Sequence, residues 1–446
     1  MNHKTELFET VPIPKAVLTF ALPTILGMLI TVAYILVDTF FVAQTGDPNQ
    51  VAAITICMPV FMLCMALGNI FGVGGASYIS RLLGAGEYET AKRTSAFAFY
   101  MSLALGVAAS AIMLSVMDFL LPIIGTTPLT EPFSRRYLTW IAGGASMIVL
   151  SFGLGQIVRS VGAAKEAMIG MVAGTVLNII LDPIMILVFH MGVAGAAAAT
   201  VISNAVSVLY FIRLIIVKDY PLSISPRRFK PNKMIVTSVL AIGVPSTLTE
   251  LLMSGSQMAF NYFGAAQGEN FLAAFGIANI IAMLPSMGVM GLSQGIQPLI
   301  GYTYAANLHR RLRGVLKFAL MAATGSAAVL MGLVYLVGKS AVTAFINNAD
   351  VIAQGQYIIY RFAWSIPILG VLFVLSTVFQ SMGKAKQALV LSIARQGIVF
   401  LPIMLIFNFA FGKDGLILAQ PVSDTISTLI CVGLFLPVFK ELAHSE

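Results

Sequence analysis

Charge is what this chain has least of. Of its 446 residues, 10% are Asp, Glu, Lys or Arg and 58% are hydrophobic, whereas a soluble domain carries about 25% charged residues. A water-soluble globular fold is excluded. The three cysteines, Cys57, Cys64 and Cys431, fall inside apolar runs without metal-type spacing and read as packing residues. Four histidines, His3, His190, His309 and His444, are scattered, with no His-Glu-x-x-His helix or paired ligands. There is no Gly-x-x-x-x-Gly-Lys-[Ser/Thr] loop, so the chain carries no phosphate-binding nucleotide engine of its own. Nothing resembles an activated nucleophile, and neither an enzyme nor a cofactor is expected. The polar start, Met1 to Glu9, leads into an apolar run too long for a signal core, so no cleavable leader is expected. The net charge of +8 sits in loops between apolar runs, which argues against nucleic acid as a partner.

Apolar runs are what remains. They can be marked at about 16–43, 52–80, 94–121, 137–158, 167–189, 194–217, 235–264, 271–303, 315–337, 357–381, 388–411 and 415–438. Each is near or above the roughly 20 residues needed to cross a bilayer. Twelve spans place both termini on one side, and the basic residues test that count. Of the 26 Lys and Arg, only Arg135, Arg136, Lys339, Arg361 and Lys413 fall in or beside the connections opposite the termini. Arg395 lies within a span, and the other basic residues lie on the terminal side. That asymmetry predicts cytoplasmic termini in the plasma membrane.

The chain also repeats itself. Arg159 to Ala167 recurs as Gln380 to Ala388, Pro23 recurs as Pro245, and Gly195 with Ser203 as Gly415 with Ser423. A near-constant offset implies an all-α polytopic membrane protein with twelve transmembrane helices in two pseudo-symmetric six-helix lobes. The expected boundaries are 1–217 and 235–446, with a basic cytoplasmic linker at 218–234. Repeats of this kind are typical of secondary transporters, and a chain carrying both is expected to work as a monomer.

Ionisable groups inside the runs mark function, because they are costly at membrane depth. On the fifth run Asn178 precedes Asp182 by one turn, and Pro183 leaves the carbonyl of Ile179 without its helical partner. A carboxylate, an amide and a freed carbonyl are oxygen donors suited to a small hard cation. Asp38 on the first run and Thr200 on the sixth fall at a similar depth, within about 10 Å of the outer boundary. Tyr34 lies one turn from Asp38 on the same face. Two carboxylates at one depth predict a shared cation or proton site, with Na+ or H+ as the coupling ion. In the second repeat the corresponding stretch, Phe400 to Met404, keeps the proline and lacks the acid. Glu250, on the seventh run, is a candidate for cationic cargo or proton coupling. Arg395 reads as a snorkelling side chain, and Asp424 takes the repeat position of Asn204. Met58, Met62 and Met65, repeated as Met283, Met287 and Met290, form helical stripes that are candidate walls for varied apolar ligands.

With Pro23, Asp38, the Arg159 to Ala167 turn, Asn178, Leu181-Asp182-Pro183 and Thr200 in place, the chain resembles the MATE (multidrug and toxic compound extrusion) transporters over nearly all its length. The acid distribution looks most like the branch that includes DinF and MepA. The resemblance implies two lobes in a V around a central cavity and cation/drug antiport by rocking between outward and inward states. It also implies a sodium or proton site at Asp38, Asn178, Asp182 and Thr200, with Tyr34 beside it. The partners implied are small organic cations and the lipid bilayer. A lipid-linked glycan flippase of related architecture and a channel are the rival readings.

Overall fold

A computed structural model describes residues 3–345 and 348–444. Among them every regular element is helical and there is no strand. The elements are α1 (His3–Glu9), α2 (Ile13–Ala43), α3 (Pro48–Gly84), α4 (Tyr88–Ser115), α5 (Met117–Ile123), α6 (Glu131–Gly143), α7 (Ala145–Ser160) and α8 (Ala164–Pro183), then α9 (Val193–Val217), α10 (Lys233–Ala265), α11 (Glu269–Ala305), α12 (His309–Phe345), α13 (Ala349–Ala363), α14 (Ile366–Ser381), α15 (Ala385–Ile393) and α16 (Phe400–His444).

Nine helical segments among the described residues are long and apolar enough to cross a membrane. Two bent pairs, α6 with α7 at 54° and α13 with α14 at 47°, each supply one more. The segment Ala385–Leu442 runs to 58 residues, far longer than one crossing requires. It breaks at Gly412, whose φ of 58° and ψ of −129° are not helical, so it is two crossings. All twelve apolar runs are thereby accounted for.

The helices pack as two units, 26–247 and 1–25 with 248–446. The sequence boundaries at 217 and 235 differ from this division, because α2 and α10 each contribute their two halves to different units. Each changeover falls shortly after a proline, Pro23 in α2 and Pro245 in α10, where the ladder lacks a donor. Backbone contact explains the assignment of the first halves. A Cβ on Gly295 of α11 would lie 2.6 Å from Ala21 Cα. A Cβ on Gly74 of α3 would run into the carbonyl oxygen of Val239, and one on Gly243 into that of Ile70.

Unit 26–247 is centred on a core that includes Ile54, Cys57, Val60, Phe61, Cys64, Leu138, Ile141, Ile148 and Ile186. Met58 and Met65 pack against it, half-buried. The linker after α9 belongs to this unit: Tyr220 Oη donates to Glu166 at 3.0 Å, Ser223 N to Ser95 Oγ at 2.7 Å, and Arg228 pairs with Glu89 at 2.6 Å. In the other unit, Tyr302 Oη donates to Glu9 at 2.7 Å and Arg311 to the carbonyl of Val11 at 2.6 Å, which fastens α1 to the end of α11 and the start of α12.

Candidate cation-coupling site

α8 delivers Asn178 and Asp182 on one face, one turn apart. Beyond Pro183 the chain loosens into a π-helical stretch, Ile184–Val188, and turns through His190 and Gly192 at positive φ into α9. Gln50 steadies this turn by accepting from Val193 N at 3.1 Å. The return brings Thr200, two turns into α9, back beside Asn178.

The Asn178 amide, oriented so that both of its groups are satisfied, donates to Asp182 Oδ2 at 3.2 Å and accepts from Thr200 N at 3.2 Å. Thr200 Oγ1 lies 3.5 Å from the same amide, and Asn204 Nδ2 donates to the Thr200 carbonyl at 2.9 Å. Asp182 is 0%, Asn178 2%, Thr200 3% and Asp38 7% exposed.

Helix register carries Asp38 to the same level. A Cβ placed on Gly27 of α2 would lie 3.8 Å from the Met171 side chain on α8. Asp38 and Asp182 each follow these contact residues by eleven positions, about 16 Å further along both helices. Both residues belong to unit 26–247 and both side chains are buried. Among the described residues Asp38 Oδ1 is buried with no hydrogen-bond partner. Ionised carboxylates in a dry site need a compensating charge. No group of three or more His, Cys, Asp or Glu suited to a metal occurs among the described residues. Two carboxylates with an amide and a hydroxyl instead suit a proton or one small hard cation.

The structure thus gathers Asp38, Asn178, Asp182 and Thr200 in one unit. The Tyr34 side chain lies outside the described residues. Glu250 is half-buried on α10, in the other unit. Met62 and Met65 on α3, and Met287 and Met290 on α11, are half-buried. Arg395 does not snorkel. Its Nε donates to Asp424 Oδ1 at 3.0 Å, with the two side chains 11% and 2% exposed. Opposite charges on the last two spans were the available signal for this pair.

The MatE family model matches the chain twice, over residues 23–184 and 245–406. The multidrug export protein MepA of Staphylococcus aureus strain MSSA476 is 34% identical over 422 residues, covering 95% of this chain and 93% of that protein. MepA of Staphylococcus saprophyticus is 32% identical over the same span and coverage. Among solved structures, an outward-facing multidrug resistance MATE family transporter of the MOP superfamily is 27% identical with a TM-score of 0.93, and 99% of each chain is covered. A MOP superfamily transporter from Pyrococcus furiosus, described as having a binding pocket of reversed polarity, is 26% identical with a TM-score of 0.92 over 100% of this chain and 99% of that one. Two matches of one family model, offset as the internal repeat is, and relatives alike over almost the full length lead to one conclusion: this chain belongs to the MATE family.

Proposed function

We propose that this protein is a secondary active antiporter of the plasma membrane. It exports amphipathic, mostly cationic drugs or metabolites in exchange for Na+ or H+, by alternating access. The export proteins it resembles supply the cargo class. The observation that carries ion coupling is the buried Asp38 oxygen, partnerless among the described residues, in the same unit and at the same helical level as the Asp182, Asn178 and Thr200 group. A cation or proton arriving from outside neutralises these carboxylates. That shifts the conformational balance only because the ion binds one state better than the other. The repeats 1–217 and 235–446, joined by 218–234, supply the moving lobes, with the first halves of α2 and α10 each packed in the other repeat's unit, and one chain holds both, so a monomer suffices. Cargo-facing roles are assigned to Met62 and Met65 in one unit and to Glu250, Met287 and Met290 in the other.

The test is efflux from proteoliposomes with sodium and proton gradients imposed separately. One gradient drives export in the native protein, and Asp38→Asn and Asp182→Asn abolish it at unchanged protein level. Undiminished driven efflux in both variants overturns the proposal.

A further inference from the structure

The unit that contains 248–446 holds a charged pair that the coupling group does not use. Arg395 lies ten residues into the span that opens α15, about 15 Å along it, and Asp424 lies twelve residues beyond the break at Gly412, about 18 Å along. Both depths are near the middle of a hydrocarbon layer about 30 Å thick, where ionised groups mark function by default.

The guanidinium is held on an edge and on a face. Its Nε donates to Asp424 Oδ1 at 3.0 Å, and its carbon sits 4.9 Å from the centre of the Phe373 ring. Gln420 Nε2 gives the same carboxylate oxygen a second bond at 3.1 Å, and Ser423 Oγ donates to the Arg395 carbonyl at 3.1 Å. Arg395 belongs to a π-helical stretch, Ala394–Val399, a distortion frequent at functional sites.

Much of this pair's bonding capacity is unused. Among the described residues neither terminal nitrogen of Arg395 donates a hydrogen bond and Asp424 Oδ2 accepts none. Ser427 Oγ, one turn on from Asp424, is buried without a partner. A pair serving packing alone does best with fork-to-fork contact through both carboxylate oxygens. Here contact through Nε leaves the fork open, and the side chain keeps 11% exposure. A guanidinium with a fixed plane and a free fork is the receptor that planar oxyanions take.

We propose that Arg395, oriented by Asp424 and Phe373, is a cargo subsite for a carboxylate, so that the exporter accepts zwitterions, organic cations that also carry a carboxylate. This deepens the export reading and rests on it. The open fork takes the cargo carboxylate, and Asp424 holds the charge balance of the empty site.

Rhodamine 110, a zwitterion, and rhodamine 123, its methyl ester and a cation, differ only at that carboxylate. Binding of each dye is measured by fluorescence polarisation on the full chain in lipid nanodiscs. Arg395→Met weakens rhodamine 110 about ten- to a hundredfold, the range of a charge-assisted hydrogen bond, and leaves rhodamine 123 within about twofold. Arg395→Lys, which keeps the charge without the fork, and Phe373→Leu, which frees the plane, lose part of the preference. Equal but partial weakening of both dyes, or none, overturns the subsite. If Arg395→Met binds neither dye, the two milder variants decide, and full preference in both overturns it. A native protein that neither binds nor exports either dye sinks the export reading. One that exports rhodamine 123 without an Arg395-dependent preference sinks only the subsite.

Discussion

Asn178 joins Asp182 to Thr200 through one amide, so its loss touches two buried partners at once. Asn178→Leu leaves the buried Asp182 Oδ2 short of a bond and removes the acceptor that meets Thr200 N, at about 1–3 kcal/mol for the unsatisfied carboxylate oxygen. The melting temperature of the purified protein falls by several degrees; an unchanged value would refute the bridging geometry. Thr200→Val is the complementary change. The backbone N–H that meets Asn178 survives, and only the hydroxyl oxygen is lost. A sodium ion needs that oxygen and a proton does not. Sodium coupling therefore raises the half-saturating Na+ of efflux about tenfold, the effect of roughly 1.4 kcal/mol. No shift, alongside an inactive Asp182→Asn, identifies the proton. Sequence depth alone brought Asp38, Asn178, Asp182 and Thr200 to one level, because rise per residue is fixed. The amide bridge was not legible, since it depends on how α8 and α9 face each other. The same limit hid the Arg395 to Asp424 pair, which spans 29 residues and turns on the rotational register of two helices across a π-helical stretch.

Among the helices, Gly243 of α10 and Gly74 of α3 let two backbones touch, each Cβ position being occupied by a carbonyl of the other helix. Nothing flexible is there to yield. Gly243→Ala forces α10 from α3 and destabilises by about 1–3 kcal/mol, the usual range for overpacking. Gly325→Ala in α12, where nothing lies within 4 Å, is neutral or slightly stabilising. Size-exclusion profiles and melting temperatures of both variants in detergent check the contrast, and equal behaviour would disprove it. The spans themselves were legible as apolar runs, and the prolines at 23 and 245 as punctuation. The bends were not. Run 137–158 hides a 54° break, α6 ending at Gly143 and α7 opening at Ala145, and glycine pairs are among the known causes of such kinks. Nor does a run reveal that the halves of α2 and α10 serve different units, because hydropathy records burial and not the identity of the neighbour.

For the molecule as a whole, the proposed orientation draws support from where its loops are tied. Within unit 26–247 the linker is fastened to Glu89 at the start of α4, to Ser95 one turn or two further on, and to Glu166 at the start of α8. The connections α3 to α4, α7 to α8 and α9 to α10 therefore share one end. α4 spans 28 residues, about 42 Å, so the turn between α5 and α6 lies at the opposite end. Basic residues crowd the shared end, which positive-inside asymmetry predicts to be the cytoplasmic face. Cys57, Cys64 and Cys431 are each 0% exposed, so introduced cysteines report without removal of the native ones. Pro128→Cys, exposed in the α5 to α6 turn, reacts with a membrane-impermeant maleimide in intact cells. Lys230→Cys, exposed in the linker, reacts only after permeabilisation. The opposite pattern would turn the protein over, placing the Asp38 and Asp182 group near the cytoplasm. An inward ion gradient would then meet the wrong face, and antiport driven from outside would fail with it.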